Sequence, residues 1–180
     1  MVDAAPRDAA VAQASLLARI DGQSWRETYD GLLSSTLLAG LDANPFHDRR
    51  YWERLLTRPP TPQWVWLIGP DEPVGLCHFR EDAEGGGIVE RLYLLRTAQR
   101  RGHGRRLMAL AAGVLVARGR QPLTVWALEC NLPARGFYEH LGGQPLPRRP
   151  VFEDAGAPVF EVGFRWDRPQ SLAELNAPRW

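Results

Sequence analysis

The sequence contains no lysine: all 22 of its basic residues are arginines, against 21 acidic residues, for a formal net charge of +1. That near balance excludes a protein that coats nucleic acid or anionic lipid by bulk charge, so any anion site has to be local. Cysteine is almost absent. Cys77 and Cys130 have no CxxC spacing and read as small buried hydrophobes, which excludes a disulfide framework and a zinc cluster. Long apolar runs are missing too: none approaches the roughly 18 residues that span a bilayer, and residues 1–14 lack the layout of a secretion signal. The expected address is therefore the cytoplasm, with no membrane partner. What is present is typical of a compact globular domain: 180 residues, 44% hydrophobic and 24% charged, expected to form one domain over 1–180 with 167–180 as a C-terminal tail.

Periodicity gives the order of elements. After Pro6, Asp8 is placed to cap a helix running through Val11, Ala14, Ala18, Trp25 and Tyr29, with Trp25 and Tyr29 on one face. Gly31 and the Ser34-Ser35 pair break it; Leu37, Leu38 and Leu41 mark a short second helix, and 46–56 a third, closed by Arg58-Pro59-Pro60. The runs 64–68 and 74–79 then read as strands of a hairpin around Gly69-Pro70-Asp71-Glu72-Pro73. After the turn Glu84-Gly85-Gly86-Gly87, a third strand covers 88–95 with Ile88, Glu90, Leu92 and Leu94 on one face.

From Gly104 the period becomes helical, with Leu107, Leu110, Ala111, Val114 and Leu115 on one stripe ending near Gly119, and 123–128 is again a strand. Strand, helix and strand make a crossover with two parallel strands. Asn131 caps a further helix with Pro133 in its first turn and Ala134, Phe137, Tyr138 and Leu141 on one stripe, ended by Gly142-Gly143. The segments 150–153 and 158–166 close the chain as a hairpin around Asp154-Ala155-Gly156-Ala157, and Leu172 and Leu175 leave the tail either docked or loose. The fold class is α/β in its mixed form: a twisted, mostly antiparallel sheet of six to seven strands, one strand-helix-strand crossover, and N-terminal helices.

The segment Gln99-Arg100-Arg101-Gly102-His103-Gly104-Arg105-Arg106 carries the chemistry, because it lies between a strand and the start of an amphipathic helix. A helix start offers unsatisfied N–H groups and partial positive charge, and glycines let phosphates approach the backbone. Arg96, Arg100, Arg101, Arg105 and Arg106 concentrate positive charge there in a chain that is otherwise neutral, which suits a pyrophosphate. The segment is neither GxGxxG nor the Walker form, so dinucleotide binding and P-loop hydrolysis lose support. Taken alone it is also compatible with a solvated loop or a nucleic-acid patch, although the net charge and the lack of interleaved aromatics oppose the latter. His103 reads as a loop residue whose backbone serves the anion.

The stretch Gln99-x-x-Gly102-x-Gly104 after Leu92-Tyr93-Leu94 resembles the acetyl-CoA motif of the GNAT superfamily of N-acyltransferases. A second stretch, Asn131-x-x-Ala134-x-x-Phe137-Tyr138-Glu139-x-x-Gly142, is similar to the family's signature on the following helix, and Trp25-Arg26-Glu27-Thr28-Tyr29-x-Gly31 resembles the helix-turn of small bacterial members. The likeness covers about 11–166. It departs at Gly143, where an aromatic often stands, and in the opening strand, barely visible in residues 1–5.

The resemblance implies acetyl-CoA as co-substrate, no metal, and an amine acceptor of unread identity, with no nucleic-acid partner and a homodimer left open. It implies that backbone groups of Leu92, Tyr93 and Leu94 hold the acetyl carbonyl and pantetheine, and that Arg100, Arg101, Gly102, His103, Gly104 and Arg105 hold the phosphates. Asn131 would reach the cofactor and Tyr138 the thiol. From the residues alone, Asn131 reads as an ordinary helix cap and Tyr138 as a core residue on the apolar stripe; only the resemblance turns both toward the cofactor. An alkylammonium near pKa 10 must lose a proton before it attacks, and Glu90 and Glu129 are the candidate bases beside a solvated-carboxylate reading of each. Some family members carry a glutamate where this chain has Ile88 or Trp126. A catalytically silent module that binds acyl-CoA is the alternative, and the intact Asn131 and Tyr138 argue against it.

Overall fold

Residues 5–176, with the side chain of Asn176 left aside, are described by a computed structural model. β1 (Arg7–Asp8) precedes α1 (Ala14–Tyr29), α2 (Ser35–Ala39) and α3 (Arg49–Thr57); β2 (Gln63–Ile68), β3 (Gly75–Glu81) and β4 (Gly87–Leu94) follow. Then come α4 (His103–Ala117), β5 (Leu123–Leu128), α5 (Leu132–His140), β6 (Gln144–Pro145), β7 (Arg149–Asp154), β8 (Ala157–Trp166) and α6 (Gln170–Ala173). One mixed sheet takes the strands in the order β1-β2-β3-β4-β5-β8-β6, with β7 paired to β8. The expected crossover is there: β4 and β5, joined through α4, pair in parallel. Among the described residues the sheet has eight strands rather than six or seven, because β1 and β6 are two residues each, too short for alternation to show in a sequence. No helix among the described residues is long and apolar enough to cross a membrane.

The chain divides into two compact units, the boundary falling inside β3 and β4. In the first, which ends at His78 and resumes over Arg91–Leu107, α1 turns Leu17, Ile20, Asp21 and Ser24 inward, a stripe at i, i+3, i+4 and i+7. Leu17 and Ile20 join Trp52, Leu55, Val65, Leu67 and Leu76 in one apolar cluster. Each such side chain contributes roughly 1.5–3 kcal/mol by leaving water. Gly75 is required here, because a Cβ on it would stand 2.8 Å from the Tyr93 carbonyl oxygen.

In the second unit, α4 buries Met108, Ala111, Ala112 and Leu115, β5 buries Leu123, Val125 and Ala127, and β8 buries Val162, Phe164 and Trp166. The β5–β8 ladder runs the whole length of β5, from Leu123↔Trp166 to Leu128↔Glu161. The β4–β5 ladder is much shorter, with only Gly87↔Leu123, Ile88↔Thr124 and Val89↔Val125. Ala155 and Gly156 both take positive φ, +50° and +78°, which is the two-residue hairpin turn that matches strand twist.

Several expectations are corrected. Asp8 caps no helix: it pairs with Trp66 in β1, and α1 starts at Ala14 after a 3-10 turn over Val11–Gln13. The opening strand is therefore Arg7–Asp8, while residues 1–4 of the stretch considered for it lie outside the described residues. The third helix does not begin at Phe46, which is 62% exposed; it begins after Asp48, whose Oδ1 accepts from the Tyr51 N–H at 2.6 Å. That cap satisfies an orphan first-turn donor and outweighs the apolar period. Cys77 is buried but Cys130 only half-buried, since it lies in the turn before α5. In the tail, Leu172 of α6 is 1% exposed, and residues 177–180 lie outside the described ones.

Candidate functional site

In the first unit the site is built from the end of β4 onward. Leu95 donates its N–H to the Val74 carbonyl at 2.9 Å, and Gln99 Nε2 donates to the Leu94 carbonyl at 3.1 Å, folding the connection back over the strand end. Arg96 is held from α1: its N–H donates to Glu27 Oε2 at 2.6 Å and its guanidinium to the Glu27 carbonyl. Glu27 Oε1 accepts in turn from Gln23 Nε2 at 2.8 Å.

The turn into α4 needs left-handed backbone at Arg100 (φ +61°) and Gly102 (φ +82°). A Cβ on Gly102 would meet nothing within 4 Å, so the space above the turn is open. Gly104 is different: it sits in the first turn of α4 without positive φ, buried. Arg106 N–H donates to the Gly102 carbonyl at 3.1 Å, the first bond of the helical ladder. First-turn N–H groups ahead of that bond have no carbonyl four residues back, and they form the positive end of the helix dipole, which favours an anion. Arg100, Arg101 and Arg105 are exposed and form no ion pair among the described residues. Spare guanidinium charge, open space and a helix start thus coincide. His103 is half-buried and opens α4, so its backbone belongs to that first turn.

Beside Arg96 and Thr97 lies an open cleft of about 680 Å³, lined by Arg26, Glu27, Asp30 and Leu38 among others. Arg26 is paired with Asp42 at 2.8 Å, whereas the Asp30 carboxylate has no ion pair among the described residues, so the cleft's spare charge is negative.

In the second unit, Asn131 Oδ1 accepts from the Ala134 N–H at 3.1 Å, so Asn131 is the N-cap of α5. Tyr138 is 5% exposed, with its ring 5.2 Å from Phe137 and 5.5 Å from Phe164. Both candidate bases hold arginines: Glu90 Oε1 accepts from Arg80 Nε at 2.6 Å and Glu129 Oε2 from Arg148 at 2.9 Å. Ile88 is half-buried, and Trp126 lies under the Arg149 guanidinium, 3.7 Å from the ring centre.

Sequence reasoning missed a buried ionic cluster. Asp21 Oδ1 lies 3.1 Å from His47 Nδ1, and its Oδ2 lies 3.3 Å from Arg91 Nε. Its signal was legible: a carboxylate on the apolar stripe of α1, four residues after Leu17. The partners come from distant segments and could not be read. Tyr93, also on β4, has its phenol pushed well above the usual range by burial, then by the charge of Asp21.

The GNAT acetyltransferase family model matches residues 25–143. An uncharacterized N-acetyltransferase of Bacillus subtilis, YuaI, is 30% identical over 94% of this chain and 96% of its own. Among solved structures, the PaiA N-acetyltransferase of Thermoplasma acidophilum, in complex with coenzyme A, superimposes with a TM-score of 0.71 at 16% identity, covering 89% of this chain and 98% of that one. An N-acetyltransferase of Staphylococcus aureus gives a TM-score of 0.69 at 12% identity, covering 92% and 98%.

Proposed function

This chain belongs to the GNAT acetyltransferase family, a family of acyltransferases, and from that premise we propose that it transfers the acetyl group of acetyl-CoA directly to a primary amine. The observation that carries the reading is the turn into α4. Three unpaired arginines, an open left-handed Gly102 and a helix start converge there, and that combination suits a pyrophosphate rather than a solvated loop. In this reading Arg100, Arg101, Gly102, His103, Gly104 and Arg105 bind the phosphates, while the backbone of Leu92, Tyr93 and Leu94 receives the pantetheine arm and orients the thioester carbonyl.

The acceptor's ammonium enters the cleft beside Thr97, where Asp30 supplies unmatched negative charge and Leu38 an apolar wall. The amine must become neutral before it attacks. Glu90 and Glu129 remain the candidate bases; each carboxylate is engaged by a guanidinium, so the proton leaves by way of solvent held at one of them. Tyr138 donates a hydrogen bond to the departing thiolate, and Asn131, besides capping α5, contacts the cofactor.

Acetyl-CoA should raise the melting temperature where NAD and ATP do not, by the equivalent of about 2.7 kcal/mol at one hundred times the dissociation constant. A thiol-release screen against an amine library would then identify the acceptor. No thermal shift at millimolar acetyl-CoA overturns the reading.

A further inference from the structure

We propose that Asp21 is a positioning residue: acting through Arg91, it fixes the half of β4 on which the acetyl donor rests. This rests on the acetyl-CoA reading above. The need arises in the sheet, since the parallel ladder holds β4 only at Gly87, Ile88 and Val89, whereas the residues assigned to the thioester are Leu92, Tyr93 and Leu94. Beyond Val89 the ladder to β5 has ended; β3 still pairs β4 on the other side and Leu95 donates to the Val74 carbonyl, and on the β5 side any further anchoring comes from side chains.

Strand alternation sends Arg91 and Tyr93 to one face and Leu92 and Leu94 to the other. Both side chains on the first face are tied to helices. The Arg91 guanidinium donates to the Tyr51 hydroxyl at 2.6 Å and to the Phe46 carbonyl at 3.1 Å, and it lies over the rings of Tyr51 and Trp52 at 4.5 and 5.3 Å. Its Nε meets Asp21 Oδ2 at 3.3 Å. The carboxylate of Asp21 is 0% exposed, and its other oxygen lies 3.1 Å from His47 Nδ1, the His47 ring standing edge-on to Trp25 at 5.0 Å. Arg91 is thus bound by α1, by α3 and by the turn before α3.

Packing alone does not call for this arrangement. A buried ion pair is often replaceable by apolar side chains without loss of stability, so a carboxylate standing between Leu17, Ile20 and Ser24 is accounted for by what it orients. What it orients is a guanidinium fork two residues before Tyr93. A planar fork with several partners fixes direction as well as distance.

The test compares Asp21→Asn, Arg91→Lys and the double variant Asp21→Asn/Arg91→Met, assayed well below their melting temperatures. Asp21→Asn leaves a buried guanidinium uncompensated and should lower the melting temperature by roughly 10 °C. The double variant removes both charges and should recover most of that loss. Its kcat should nevertheless stay about tenfold down, with KM for acetyl-CoA little changed because the phosphates are held elsewhere. Arg91→Lys keeps the charge but loses the fork, and should also lower kcat. Full recovery of kcat along with stability in the double variant shows the pair to be structural only and overturns the proposal, even where Asp21→Asn alone fails to fold. A wild-type protein that neither binds acetyl-CoA nor releases thiol overturns the acetyltransferase reading itself, a result distinct from the variants' behaviour.

Discussion

The indole N–H of Trp25 donates to the hydroxyl of Tyr93 at 2.8 Å, tying the C-terminal half of α1 to the C-terminal end of β4. Trp25→Phe keeps an aromatic ring but leaves that hydroxyl without its donor. Equilibrium urea unfolding should show a loss of about 1 kcal/mol, up to 2. The same bond favours the phenolate, against the larger upward push of burial. Stability from this residue is therefore complete below about pH 10, where an unfolded tyrosine begins to ionise, and is lost as pH rises from there toward the raised folded value. Tyr93→Phe should flatten the alkaline limb of the stability profile.

Gly102 and Gly104 should part company. Gly102→Ala forces a left-handed backbone on a residue with a Cβ and should cost about 1 kcal/mol in thermal unfolding. Gly104 has helical backbone, so Gly104→Val meets no conformational barrier of that kind. In a folded variant its branched side chain should crowd the phosphates and weaken acetyl-CoA binding tenfold, about 1.4 kcal/mol, by calorimetry. Unchanged affinity would return the turn to a solvated charged loop.

Tyr138→Phe should separate chemistry from packing. The ring keeps its contacts with Phe137, Phe164 and Trp166, so melting temperature and acetyl-CoA affinity should hardly move. Turnover should fall about 10²-fold as the leaving thiolate loses its donor. Stability lost with turnover intact would make Tyr138 a core residue.

The two thiols should react at different rates. Burial pushes the Cys77 thiol far up, whereas Cys130 is raised first by partial burial and then by the nearby Glu129. A thiol reagent should modify Cys130 slowly and Cys77 only after unfolding. Two equally fast thiols in the native protein would contradict this.

The sequence carried most of the fold because its signals were local. The change of period at Gly104, the strand 123–128 and the Asn131 cap all coincide with what is observed. Asp8 and Phe46 misled for opposite reasons: a two-residue strand took the cap residue, and the Asp48 cap overrode the apolar period. On the site, the turn from Gln99 to Arg106 was visible as composition, but not which glycine needs its freedom. The Asp21 cluster was visible as a single misplaced charge, and only folding brings His47 and Arg91 to it.

The arginine ion pairs, from Arg19–Glu72 at 2.7 Å to Arg165–Asp167 at 2.6 Å, have a chemical corollary. Lysine ammonium groups lose their charge once acylated, whereas a guanidinium stays protonated at any physiological pH and is a poor nucleophile. A catalyst working beside an activated acetyl donor with lysines in those bridges would be exposed to slow self-modification. With no lysine in the sequence, none of these bridges can be erased in that way, and incubation in excess acetyl-CoA should leave their charges as they are.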